Sequence, residues 1–186
     1  MSTRWPERAK PPDGGRHSVP VMRATYVNGI TIRPLRDGDT GTVLALFDRL
    51  GEEARATRFC GAKPRLNDAE LSLLARVDTE RHVLVGYVDG DPRPAGIARL
   101  ARDGGSAEIA LSVADELRGR GVGSALLEAL AADARAAGIT SFVATVCGDN
   151  PSMIRILHRL SSSLEVRWQR GEREIVVPLG ARVARA

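Results

Sequence analysis

Apolar positions along this chain recur with two periods, and the alternation between them predicts the order of elements. In GITIRPL (29–35) apolar and polar side chains alternate, the pattern of a first strand. Val43, Leu46, Phe47 and Leu50 then fall at i, i+3, i+4 and i+7. This is an amphipathic helix, capped by Asp37 or Asp39 and stopped at Gly51. Residues 52–65 read as irregular or as a second short helix. Asn67 with Glu70 three residues on has capping-box spacing and opens a helix in NDAELSLLARV. HVLVGYVDG (82–90) and RPAGIARLARD (93–103) read as a hairpin turned at DGDP. Gly104-Gly105 turns the chain again into AEIALSV (107–113). Beyond a loop, Val122, Leu126, Leu127, Leu130 and Ala134 share one helix face, and Gly138 ends the helix. TSFVATV (140–146) is the next strand. Asn150-Pro151 starts a helix that buries Met153, Ile156, Leu157 and Leu160. LEVRWQRGEREIVVPL (164–179) closes the chain as a hairpin around Gly171. The order β-α-α-β-β-β-α-β-α-β-β predicts an α/β (α+β) domain with a mixed sheet flanked by helices.

Composition changes this picture only at the edges. Residues 1–27 are rich in Pro, Gly and Arg without apolar periodicity and read as a flexible tail. Residues 28–180 form one domain, and 181–186 a C-terminal tail. No run approaches the ~20 apolar residues of a membrane span. The N-terminus lacks the apolar stretch of a secretory signal. Cys60 and Cys147 fit neither a disulfide framework nor a metal motif, so a reducing cytoplasm, inert buried thiols and no metal are expected. The net charge of +4 is almost all arginine, Lys10 and Lys63 being the only lysines. An arginine-favouring genome explains this; so does attraction to an anion. Aromatic residues at 4% argue against a base-stacking nucleic-acid surface.

The anion acquires a place at Arg118-Gly119-Arg120-Gly121-Val122-Gly123-Ser124. A phosphate loop of the G-x-x-x-x-G-K-[ST] kind is absent. A dinucleotide fingerprint lacks its third glycine, since Ser124 stands there, and lacks an acidic residue after the following strand. R-x-x-G-x-G matches fully. Free N–H groups at a helix N-terminus carry about half a positive charge. Glycines let a pyrophosphate approach them, and Arg118 and Arg120 add charge-assisted bonds.

On these residues the chain resembles the GNAT superfamily of acyl-CoA-dependent N-acyltransferases, from residue 29 to about 178. The resemblance implies a mostly antiparallel sheet of six to seven strands with about four helices. It implies acetyl-CoA as cosubstrate, its pyrophosphate on residues 118–124. Main-chain groups of Leu111 and Val113 would hold pantetheine and the thioester oxygen, and Asn150 would face the cofactor. GEEARATRFCG (51–61) is similar to a bacterial subgroup that includes protein lysine acetyltransferases. Glu52, Glu53, Arg55, Arg58 and Phe59 match its pattern; Gly51, Ala54 and Cys60 do not.

Acyl transfer to an amine needs a base, because a lysine ammonium has a pKa near ~10.4. Alternation puts Glu108, Ala110 and Ser112 on one strand face and Ile109, Leu111 and Val113 on the other. Glu108 is the expected base, and the resemblance places a glutamate on this strand; a solvent-facing carboxylate is the plainer reading. Glu52 and Glu53 are rival carboxylates or simple helix-start residues. The family's tyrosine acid, seven residues after the Asn, is Leu157 here, and His158 reads as a surface residue. A thiolate leaves without a strong acid. Ser161-Ser162-Ser163 stands where the family has Gly and an aromatic. The expected function is acetyl transfer to a primary amine, a protein lysine before a small molecule. A CoA-binding regulatory module with little turnover is the alternative of another class. Oligomeric state is not encoded in these patterns.

Overall fold

The computed structural model describes residues 24–148, 150–169 and 172–180. Among them, eight strands form one sheet. In chain order these are β1 (Thr25–Val27), β2 (Ile30–Pro34), β3 (Arg81–Val88), β4 (Gly96–Asp103), β5 (Ser106–Val113), β6 (Ser141–Val146), β7 (Glu165–Gln169) and β8 (Glu172–Pro178). Five helices accompany them: α1 (Thr40–Phe47), α2 (Glu52–Phe59), α3 (Asp68–Ala75), α4 (Val122–Ala136) and α5 (Pro151–Leu160). The spatial order is β1-β2-β3-β4-β5-β6-β8-β7, antiparallel throughout except between β5 and β6.

The expected mixed, mostly antiparallel sheet is present, with more elements than the six to seven strands and four helices anticipated. The extra strand, β1, lies inside the segment read as a tail and pairs with β2 through Thr25–Ile32 and Val27–Ile30. Of residues 52–65, read as irregular or as a second short helix, Glu52–Phe59 are helix α2 and the remainder is not helical. Most of the tail, the turn at Gly171 and residues 181–186 fall outside the described residues.

Helix ends follow their local chemistry. Asp39 caps α1 by accepting from the Thr42 N–H at 3.0 Å. Asn67 and Glu70 complete a reciprocal capping box on α3, at 2.9 and 3.0 Å. Gly138, at φ 75°, follows α4 in the left-handed conformation that glycine adopts without penalty.

The helices divide between two faces. On one, α4 crosses the sheet and buries Leu126, Leu127 and Leu130. Each removes about 1.5–3 kcal/mol worth of apolar surface from water. A Cβ on Gly96 of β4 would come within 2.9 Å of the Leu126 side chain, so α4 lies directly on the strand. His82 on β3 and Asp133 on α4, both buried, pair at 2.8 Å across this contact. On the opposite face lie α1, α2 and α3, packed over β4 and β5.

Candidate functional site

Where β5 and β6 run side by side, they pair only through Ser106–Ser141, Ala107–Phe142 and Glu108–Val143. Past Glu108 the parallel ladder ends. β5 continues to Val113 against β4, and β6 continues to Val146 against β8, so the two strands part. The Ala114 N–H donates to the Ala95 carbonyl on the β4 side at 2.9 Å. Successive main-chain groups alternate edges along a strand. Those of Leu111 and Val113 therefore turn the other way, into the gap toward β6. Their side chains lie on the α4 face, against Gly123.

The glycine loop sits above that gap. A 3₁₀ turn at Asp115–Leu117 precedes Arg118, and α4 begins at Val122. Gly119 (φ 76°) and Gly121 (φ 85°) are both left-handed, and an added Cβ would meet nothing within 4 Å at either. Backbone conformation is what requires glycine there. Gly121 is the N-cap residue and no side chain caps the helix, which leaves its first-turn amides pointing outward. Gly123 has another reason: its Cβ would lie 3.2 Å from Ile156 and 3.3 Å from Leu111, so it permits α4, α5 and β5 to meet. Val122 is buried, which leaves its main chain as its polar contribution.

The charged residues of the loop differ among themselves. Arg118 is exposed and pairs with Asp115 at 3.1 Å, while Arg120 is exposed. Ser124 accepts a hydrogen bond from Arg159 of α5 at 3.2 Å. Arg159 thus joins the mouth of α4, a contribution the linear sequence did not signal. Asn150 caps α5, its Oδ1 accepting from the Met153 N–H at 3.0 Å. That oxygen has a structural partner, which Pro151 at the first helical turn foreshadowed.

Glu108 is part-buried and lies on the face opposite α4. Its cross-strand partner is Ala101, and Arg99 pairs with Ala110 on the same face. Helix α2 packs over β5 and brings Arg58 into electrostatic contact with Glu108. Arg58, Arg99 and Ser112 line a cavity of about 30 Å³, walled by Phe47, Phe59 and Leu74. Burial pushes Arg58 down to about 10, with the Glu108 charge opposing the shift. Burial and then repulsion from Arg58 push Arg99 down to about 9. Sequence singled out Arg58 only as part of a motif and did not find Arg99. The sole signal for Arg99 was a charged residue set between the apolar pairs Ile97-Ala98 and Leu100-Ala101.

The rival groups stand elsewhere. Glu52 and Glu53 are exposed in the first turn of α2, where they complement the helix dipole. Tyr26 donates to Asp89 at 2.6 Å, and Tyr87 accepts from Arg33 at 2.8 Å, both in the β1–β3 region. Leu157 is fully buried and His158 is exposed, as anticipated. The cysteines depart from expectation. Cys60 follows α2 and is exposed, Cys147 follows β6 and is part-buried, and the two form a disulfide with Cα atoms 5.4 Å apart. Their 87-residue separation concealed a proximity that tertiary folding creates. Among the described residues no group of three or more His, Cys, Asp or Glu is arranged to hold a metal, and no helix is long and apolar enough to cross a membrane.

This arrangement has counterparts. Acetyltransferase Pat of Mycolicibacterium smegmatis is 33% identical over 135 residues, covering 70% of this chain and 40% of that protein. The chain therefore spans well under half the length of that relative. Acetyltransferase PA5475 of Pseudomonas aeruginosa is 29% identical over 146 residues, covering 76% of this chain and 72% of that one. Among solved structures, the GNAT domain of S. lividans PAT superposes with TM-score 0.71 at 27% identity, covering 81% of this chain and 90% of that chain. The model of the acetyltransferase (GNAT) family matches residues 44–161, from α1 through the glycine loop to the end of α5. With that match and the fold in agreement, the chain belongs to the GNAT family of acyltransferases.

Proposed function

We propose that this domain transfers the acetyl group of acetyl-CoA to a primary amine, with a protein lysine the first choice of acceptor. The observation that carries the reading is the gap between β5 and β6. It has outward-turned main chain at Leu111 and Val113 on one flank and an uncapped helix N-terminus above. A pyrophosphate suits the amides of residues 119–124, with Arg118 and Arg120 in reach of it. The chain of the thioester substrate suits the unpaired edge of β5. Main-chain N–H groups there can hold the thioester oxygen as it gains charge.

Glu108 approaches the same gap from the opposite face. It takes one proton from the acceptor ammonium, directly or through a water. The free amine attacks the thioester carbon, the carbon–sulfur bond breaks, CoA leaves as a thiolate, and the attacking nitrogen gives up its second proton to that thiolate or to water as the amide forms. With Leu157 buried where the family has a tyrosine, departure of the thiolate depends on its own modest basicity, pKa about 8.5. The likeness to acetyltransferase Pat of Mycolicibacterium smegmatis and to the GNAT domain of S. lividans PAT supports the protein-lysine-acetyltransferase-like subgroup, which is why a protein acceptor is put first.

Calorimetry with CoA and acetyl-CoA tests the binding half, and thiol release with single-lysine peptides and small amines tests the transfer. Glu108→Gln is expected to retain acetyl-CoA affinity and to lose at least a hundredfold in turnover at neutral pH. Unchanged turnover would remove Glu108 from the role of base. Absence of heat with CoA would remove the function itself.

A further inference from the structure

Two guanidinium groups line one cavity on the α1–α3 side of the sheet, and among the described residues neither belongs to an ion pair within 4 Å. Arg99 is about nine-tenths buried in the middle of β4. Its Nη1 donates to the neutral carbonyl of Leu74. Arg58 lies over the Phe59 ring at 5.0 Å and lines the same cavity as Arg99. Burying a guanidinium without a carboxylate partner is costly, and a chain that only needed to fill this space would use leucine or methionine.

The strand register supplies a reason. Glu108 pairs with Ala101 and Ala110 with Arg99, so Arg99 and Glu108 stand on one face, with the Leu100–Ile109 pair between their rows. Arg58 reaches that face from α2 and feels both: attraction from Glu108, and mutual repulsion with Arg99. Among the described residues, two positive charges and one negative charge thus share this side of the sheet, and Glu108 has a further interaction of its own.

We infer that Arg58 is a positioning residue that keeps the Glu108 carboxylate ionised and aimed at the gap, while Arg58 and Arg99 together make the acceptor pocket hostile to an ammonium. The inference rests on reading Glu108 as the base. A nearby guanidinium lowers a carboxylate's affinity for its proton. The surplus positive charge does the same to an incoming ammonium, so a larger fraction of the bound acceptor is neutral and nucleophilic. Other charged groups around Glu108 are already engaged. Arg81, in the same cross-strand row, pairs with Asp78 at 2.8 Å. On α2, Arg55 donates to the carbonyls of Pro64 and Phe47. Lys63 pairs with Glu70 of α3, Glu174 on β8 has its own partner, and α1 offers the cavity only apolar side chains.

The test is an NMR titration of ¹³C-labelled glutamate carboxylates in the full chain, with Glu108→Gln assigning the resonance. Arg58→Met is expected to raise the Glu108 pKa by a unit or more, and Arg58→Lys to restore most of the difference. In parallel, the acid limb of the kcat/KM profile, measured with acetyl-CoA and a single-lysine peptide, moves to higher pH by the same amount. In the kcat profile, which reports the bound complex, Arg99→Met is expected to shift the limb belonging to the acceptor amine upward, with acetyl-CoA affinity unchanged by calorimetry; a kcat limb that stays in place overturns the part assigned to Arg99. Thermal melting and acetyl-CoA uptake report folding for each variant; if Arg58→Met does not fold, Arg58→Gln takes its place. A Glu108 titration that stays within 0.3 units of wild type in the charge-removing variant overturns the inference. If instead Glu108→Gln keeps full turnover while the titration shifts as expected, the reading of the base fails and the electrostatic coupling stands.

Discussion

Reduction of the Cys60–Cys147 bond is the perturbation with the largest expected effect on stability. The bond closes a loop of 87 residues, running from the end of α2 through β3, β4, β5 and α4 to the end of β6. In the chain-entropy description, releasing a loop of that length returns about 15 cal/mol/K to the unfolded chain, or roughly 4.6 kcal/mol at 25 °C. Each kcal/mol moves the melting temperature of a domain this size by about 2–4 °C. A fall of up to about 10–18 °C is therefore expected, an upper figure because native strain and residual unfolded structure subtract from it. The measurement is thermal unfolding of the purified chain with and without a non-thiol reductant, beside a thiol titration that counts free sulfhydryls in each sample. Two free thiols before reduction, or melting curves that coincide to about 2 °C after it, refute the reasoning.

Gly121→Ala places a Cβ on a left-handed N-cap residue. It should cost about 1–2 kcal/mol and weaken acetyl-CoA binding, read by melting and calorimetry. If affinity is unchanged, the conformation of that loop is not what holds the substrate. Asp39→Ala removes the cap of α1 and should lower stability by about 1 kcal/mol in urea unfolding. Asp39 is held below the usual carboxylate range by its bonds to Thr42, and Asp91 by its bonds to Arg93. A depressed folded-state pKa gives stability that is present above the unfolded value, near ~3.9, and lost as pH falls through the folded one. Stability should therefore begin to fall below about pH 4, and a chain equally stable at pH 2 and pH 6 would contradict it.

The parts legible in the sequence are those whose cause is local. The Asn67–Glu70 box, the apolar stripe of α4 and the glycine after it each need only neighbours within a few residues. The glycine loop was legible because its left-handed positions and the helix start that follows are set by residues within the loop itself. What stayed hidden depends on distant partners. Nothing near Arg99 announces that it will share a cavity with Arg58 of another element, because 40 positions of chain lie between them. Gly123 was read only as part of an anion cradle; that Ile156 and Leu111 also press on it from two other elements was hidden. The short β1 carries too few residues for alternation to show. Asn150 illustrates the reverse case: a residue noticed for its resemblance also has a plain local job as a helix cap.

Because α4 and the α1–α3 layer occupy opposite sides of the sheet, the β strands act as a partition with a single slit between β5 and β6. A molecule lodged along α4 and one resting against α2 are kept a full wall's thickness apart everywhere except at that slit. Neither has to vacate its side for the other to arrive, and the one place where they touch is framed by rigid strands rather than by loops.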